Sequence, residues 1–138
     1  VQEISVVHAV ADCTRSLSFR GFLVDASCWV FNGGRYVRPG ADGTDASQSN
    51  DNVLLSNRAE VNTQPRLEIL ADDVTCVHGA TIGQIDDTAL YYLRTRGIGA
   101  DDARRILVHG FSDQVVDDIE IEQVRAWITE RLGHASDA

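Results

Sequence analysis

Lysine and methionine are both missing from these 138 residues. All fixed positive side-chain charge therefore rests on arginine, and it is outweighed by Asp and Glu to a formal net charge of −9. Nucleic acid needs a basic surface to displace the counterions of its phosphates, so it is excluded as a main partner, and an anionic membrane is disfavoured for the same reason. No apolar run approaches the ~20 residues of a bilayer-spanning helix, and no signal-peptide pattern opens the chain. A cytoplasmic location is the expectation. Because even position 1 lacks Met, the sequence is expected to be a fragment, a processed chain or the product of a non-standard start.

Cysteine is scarce and odd in number. Cys13, Cys28 and Cys76 are too widely spaced for a disulfide framework, and reduced thiols are expected in a cytosolic protein. Nucleotide-binding motifs are missing as well. Neither Gly33-Gly34 nor the stretch Gly79 to Gly83 carries the Lys-Ser/Thr ending of a phosphate-binding loop or the Gly-x-Gly-x-x-Gly spacing of a dinucleotide site. Any ATP dependence must then come from another subunit.

What is present falls into two parts. From Ser16 to about Ile82 the signals are short strands: Ser16 to Val24, Cys28 to Phe31, Tyr36 to Val37, Val53 to Leu55, Leu67 to Leu70 and Thr75 to Val77. Turn-forming groups separate them, namely Gly33-Gly34, Pro39-Gly40, Asp42-Gly43 and Asn50-Asp51-Asn52. With no crossover helix between them, the strands make a sandwich, a barrel or a β-solenoid. An apolar pair recurs at Val30-Phe31, Leu54-Leu55 and Ile69-Leu70, spaced by 24 and then 15 residues, which favours solenoid rungs.

After Gly83 the apolar period lengthens to that of a helix. Asp86 or Asp87 caps a helix running to about Arg96, and Gly97 stops it. A second helix is expected from near Ala100 with a stripe of Ile106 or Leu107, Gly110, Phe111 and Val115. A third spans about Glu120 to Leu132, with Ile121, Val124, Ile128 and Leu132 on one side beside Trp127. Helices this short must pack on each other, on the end of the solenoid or on a partner. The resulting division is 1–83 for the solenoid rungs and 84–138 for a helical C-terminal subdomain.

The most informative stretch is ADDVTCVHGATIGQ, residues 71–84. In an extended strand, residues i and i+2 leave the same face, so Cys76 and His78 point together and Val77 turns away. A soft ligand beside a borderline one suits iron, zinc or an iron–sulfur intermediate; the plainer alternative for Cys76 is a small buried hydrophobe. Asp72 and Asp73, being adjacent, face opposite ways and read as a turn rather than a catalytic pair. Cys13 and Cys28 fit no ligand spacing with Cys76, and His8, His109 and His134 read as helix or tail residues. The block LYYLRTRGI, with Tyr91, Tyr92, Leu93, Arg94, Arg96 and Ile98, interleaves aromatics and arginines as protein-binding surfaces do.

Four ordered blocks carry a resemblance to a known family: FRGFLVDASCWVFNGGRYVRPGA, TDASQSNDNVLLS, PRLEILADDVTCVHGATIGQIDDTALYYLRTRGI and ARRILVHGF. Together they resemble the C-terminal part of the SufB/SufD family of iron–sulfur assembly proteins, with Cys-x-His-Gly-Ala-Thr favouring the SufD branch. The resemblance implies a right-handed parallel β-helix followed by the helical subdomain. It also implies that His78 helps hold a nascent cluster at the interface with a SufB-like subunit, and that the helical region docks SufC, an ABC-type ATPase. Tyr91 stands where Phe is usual in the family, Thr95 where Ser is usual, and Thr75 and Val77 where Lys and a small polar residue often occur.

The leading expectation is thus a non-enzymatic scaffold component that binds no cofactor stably by itself and meets transient iron or an Fe–S cluster only at a joint with another chain. A β-solenoid enzyme acting on polysaccharide is the competitor, and a plain oligomerisation module is the third reading. Whether the joint is a heterodimer or a self-association is left open by the sequence.

Overall fold

The structure is a computed structural model that describes residues 1–135, with side chains through Leu132. Six strands precede three helices: β1 (Gln2–His8), β2 (Thr14–Leu23), β3 (Cys28–Val37), β4 (Asp45–Leu54), β5 (Glu60–Ile69), β6 (Thr75–Gln84), α1 (Asp87–Thr95), α2 (Ala100–Val116) and α3 (Glu122–Ala135). The chain divides into two compact units, Val1–Gly83 and Gln84–Ala138. In the second unit, residues 136–138 and the side chain of His134 lie outside the described residues.

In the first unit the odd strands form one sheet, in the order β1-β3-β5, and the even strands form another, β2-β4-β6. The pairs β1–β3, β2–β4 and β3–β5 are all parallel. A chain that coils, giving one strand to each sheet per turn, produces this order without crossover helices. The first unit is therefore β-helix-like, with β1–β2, β3–β4 and β5–β6 as successive rungs, and the helices follow as an appendage.

The rung length differs from the sequence expectation. Partners are offset by 29 residues (Gln2 with Phe31), 31 (Thr14 with Asp45) and 32 (Cys28 with Glu60). The apolar pairs at 30, 54 and 69 mixed residues of the two sheets and do not mark the repeat. What does mark it is a corner. Asp12, Gly43 and Asp73 all take left-handed backbone, with φ of 56°, 70° and 52°. The Asp12 N–H donates to Asp42 O at 2.8 Å and the Gly43 N–H to Asp73 O at 3.0 Å, so the corners stack. Asp and Gly are residue types that adopt this conformation with little strain.

Two expected turns are instead strand interior. Gly33-Gly34 lies within β3 and Asn50-Asp51-Asn52 within β4. Gly33 is required by space, since a Cβ there would fall 2.4 Å from Gln48 Nε2 and 2.8 Å from the Phe31 ring. Asn50 and Asn52 are buried, and like side chains in a solenoid satisfy one another along and between rungs. Asn52 Nδ2 donates to Asn50 Oδ1 at 3.0 Å, and Asn50 Nδ2 donates to Thr63 Oγ1 at 3.2 Å. On the outer face Ser47 donates to Ser16 at 3.0 Å and Ser49 to Ser18 at 3.1 Å.

Phe31, packed against Phe19 at 4.9 Å and Trp29 at 5.6 Å between ring centroids, anchors the apolar part of the interior together with Leu23 and Val37. Besides the small buried Ala41, Ala46 and Ala59, the interior also carries polar side chains. Arg35 and His8 are 1% and 4% exposed. His8 was expected to be a helix or tail residue, yet it ends β1, a strand the sequence pattern did not show. Burial, then Arg35, then Arg15 push its pKa below the ordinary 6.5. The unfolded chain therefore takes up this proton first on acidification, so stability is lost as pH falls through 6.5. His8→Asn is expected to flatten that loss, measured as the urea midpoint between about pH 7.5 and 5.5; an unchanged slope would contradict it.

In the second unit, the Asp86 carboxylate caps α1 by accepting from Thr88 N at 2.8 Å. Gly97, at φ +84°, ends it, with Ile98 N–H returning to Leu93 O at 3.3 Å. On α2 the expected Leu107, Phe111 and Val115 are half-buried, with Ala103, Ser112 and Val116 buried beside them, whereas the alternative Ile106 is 47% exposed and Gly110 is exposed. Along α3, Ile128 and Leu132 are half-buried, but Ile121 and Val124 are exposed and the helix begins at Glu122. Ile121 falls just before the helix, which breaks the expected four-residue stripe.

Candidate functional site

Cys76 and His78 lie on β6, the last strand of the even sheet. Thr75 N–H donates to Thr44 O at 2.9 Å, as Asp45 N–H does to Cys13 O where Thr14 pairs with Asp45. Thr75 therefore stands beside Asp45. The Thr81 hydroxyl, bonded to Asp51 Oδ1 at 2.5 Å, repeats the same offset of 30. Cys76 is then aligned with Ala46 and His78 with Gln48, on the face that carries the buried Ala46 and Asn50. The pair faces the interior side of the solenoid on a rung that no further strand follows among the described residues. This leaves His78 exposed and Cys76 half-buried, while Val77, on the other face, is 60% exposed.

The exposure is a property of the whole last rung. Among the described residues, β5 pairs only with β3, and β6 has only β4 as a sheet neighbour. Leu67, Ile69, Leu70 and Ile82 are 43%, 40%, 57% and 46% exposed. Cys76 and His78 thus occupy the rim of an open, partly apolar mouth with unpaired strand edges. Two donors do not complete a coordination sphere, and no group of three or more His, Cys, Asp or Glu able to hold a metal occurs among the described residues. A metal ion meeting this pair would have to draw its remaining ligands from elsewhere.

Behind this rim lies a residue that pattern reading missed. The Arg35 guanidinium donates through Nη1 to Ala46 O at 2.7 Å and reaches Val77 O, between Cys76 and His78, at 3.5 Å. Its position in FNGGRYV, next to two glycines read as a turn, concealed it as a surface residue. Cys13 is half-buried and Cys28 exposed, and both thiols are free. Asp72 and Asp73 occupy the rung corner, where Asp72 N–H donates to Asp42 Oδ1 at 2.8 Å.

The block Tyr91 to Ile98 does not form a single face. Tyr91 and Tyr92 are 70% and 56% exposed, and Arg94 and Arg96 are exposed beside them. Arg96 stacks on Tyr92, 5.1 Å from the ring centroid, and donates to its hydroxyl at 3.1 Å. Leu93 and Ile98 are half-buried instead. A comparable exposed pair on α3 was not singled out in the sequence: Arg131 lies 4.2 Å over Trp127.

The class of protein is thus a β-helix-like unit with a helical appendage, carrying a thiol and an imidazole on its last rung. The chain matches the family described as SUF system FeS cluster assembly, SufBD core domain, over residues 2–111. It belongs to that family. It is 37% identical over 126 residues to the iron-sulfur cluster assembly protein SufD of Escherichia coli (strain K12), covering 91% of this chain and 30% of that protein. It is 36% identical over 139 residues to an iron-sulfur cluster assembly SufBD family protein of Mycobacterium leprae, covering 94% and 35%. With SufD of Bacillus subtilis (strain 168) it shares 37% identity over 105 residues, covering 76% and 24%. The chain thus spans about a third or less of the length of these relatives. No helix among the described residues is long and apolar enough to cross a membrane.

Proposed function

We propose that this chain is a SufD-like, non-enzymatic part of an iron–sulfur cluster scaffold in the cytoplasm. Its last rung joins a SufB-like solenoid, its helical unit is worked by a SufC-like ABC ATPase, and Cys76 and His78 offer ligands to iron or a nascent cluster at the joint. The observation that carries this reading is the incomplete donor pair at the rim of an unpaired rung. A thiolate and an imidazole bind iron but cannot enclose it, and the place where further ligands can arrive is also where a second strand pair can dock. Exposed Tyr91, Tyr92, Arg94 and Arg96 give the helical unit the residue types enriched at partner surfaces.

The test is affinity capture of the chain from its own cells. SufB-like and SufC-like proteins are expected to co-purify with it. Removing residues 86–138 is expected to abolish capture of the ATPase and keep the second solenoid protein, since the two units are separately compact. Retention of the ATPase by the shortened chain would end the docking assignment, and capture of neither protein would end the scaffold reading.

A further inference from the structure

Arg35 heads the fully buried side chains of the described residues, at 1% exposure. Its Nη1 is engaged by the carbonyls of Ala46 and Val77, while Nε and Nη2 are buried with no hydrogen-bond partner among the described residues. No carboxylate among the described residues pairs with it. Buried His8, which feels the charge of Arg35, is held towards its neutral form by burial and by Arg35 itself. A guanidinium stays protonated at any working pH. A buried positive charge with no carboxylate partner among the described residues thus sits against the Val77 carbonyl, between Cys76 and His78.

Such a charge is unfavourable for the fold, because a buried ion without a counter-ion loses its hydration. It acts at the rim according to sign. At a partly solvated rim, where the effective dielectric lies between that of water and about 20, a unit charge several ångströms from a bound ion still changes affinity on the order of tenfold. A bare divalent cation is repelled. An iron species that already carries sulfide or thiolate, and with them net negative charge, is attracted.

We propose that Arg35 is a charge-selecting positioning residue, making the Cys76–His78 pair favour an anionic, sulfide-bearing iron species over a bare divalent cation. The inference rests on the reading of that pair as a cargo site. It assigns Arg35 a role in what is admitted and leaves the ligands as they are.

The experiment uses the full chain and Co²⁺ alone as the cation probe, followed by thiolate-to-cobalt charge-transfer absorption. Arg35→Met is expected to bind Co²⁺ about tenfold or more tightly than the unaltered chain, while Arg35→Lys stays within about threefold. Arg35→Met is also expected to melt no lower than the unaltered chain, since an apolar replacement of a buried charge is often neutral or stabilising. A mere structural brace would show the reverse, a lower melting temperature with unchanged Co²⁺ affinity, and that result overturns the proposal.

A second measurement needs neither metal nor variant. The rates of modification at Cys76 by an anionic aromatic disulfide and by cationic cystamine are compared with those at exposed Cys28 by peptide mapping. The anionic reagent is expected to be favoured at Cys76 relative to Cys28; preference for cystamine overturns the inference even if Arg35→Met fails to fold. If instead Cys76→Ala with His78→Ala leaves Co²⁺ affinity unchanged, the cargo-site reading fails, and the inference fails with it. A fall in that double variant with no response to Arg35→Met sinks the role of Arg35 alone.

Discussion

Replacing His78 by alanine is expected to lower cluster formation by tenfold or more in a mixture of this chain with its SufB-like and SufC-like partners, without weakening the complex. The magnitude follows from removing one ligand of a site that has few, since even outer-shell partners of metal ligands are worth about 10–100-fold. The selectivity of the effect follows from the geometry. His78 is exposed on the last rung and contributes little to the interior, so its loss is expected to move folding stability by about 0.5 kcal/mol or less. Iron and sulfide incorporation is read from the absorption of the assembled cluster, and complex formation from co-elution. Undiminished incorporation with an intact complex would remove His78 from the metal path. Cys76→Ala separates two further cases. A ligand thiolate gives a loss like that of His78, whereas a thiol that only packs gives a lower melting temperature with normal incorporation.

Much of this arrangement is legible in the amino-acid sequence. The same-face relation of Cys76 and His78 needs only an extended backbone, and Asp86, Gly97 and the change of period after Gly83 defined α1 closely. The gaps have physical causes. β-solenoid strands tolerate Asn, Gly and Ser inside because like residues stack rung on rung, so Asn50, Asn52, Gly33 and Gly34 looked like turns while lying in strands. Pro65 hid the first half of β5; proline is tolerated there because β5 is an edge strand of its sheet. The repeat was present in the sequence, but in the left-handed corners at 12, 43 and 73 rather than in apolar pairs. Arg35 could not be found from type alone, because nothing local distinguishes an arginine that turns into a solenoid from one that turns out.

The face on which the pair lies also bears on partnership. Since Cys76 and His78 are aligned with Ala46 and Gln48, a ligand reaching both approaches along the solenoid axis from beyond the last rung. A protein that supplies the remaining ligands must then cover the mouth itself. Under the proposed role, site completion and edge pairing become the same event, so two donors from this chain would suffice.

Charges placed in that mouth are therefore expected to have the largest effect on association. Leu67→Glu with Ile82→Glu puts two carboxylates where apolar side chains are now 43% and 46% exposed. In the free chain both remain partly hydrated, so the fold is expected to survive with its circular dichroism unchanged. In a joined solenoid both must be desolvated beside the unpaired strands, and each buried charge without a partner costs several kcal/mol. Binding to the SufB-like subunit is expected to weaken at least about a hundredfold, a loss of roughly 3 kcal/mol, which calorimetric titration resolves. The same variant decides between the two kinds of joint. If the unaltered chain is dimeric alone by light scattering and the variant monomeric, the mouth closes on a second copy; if both are monomeric alone and only heterologous binding is lost, it closes on a different chain. Undisturbed binding of the double variant would place the interface elsewhere and leave Cys76 and His78 without the partner ligands that the proposed role demands.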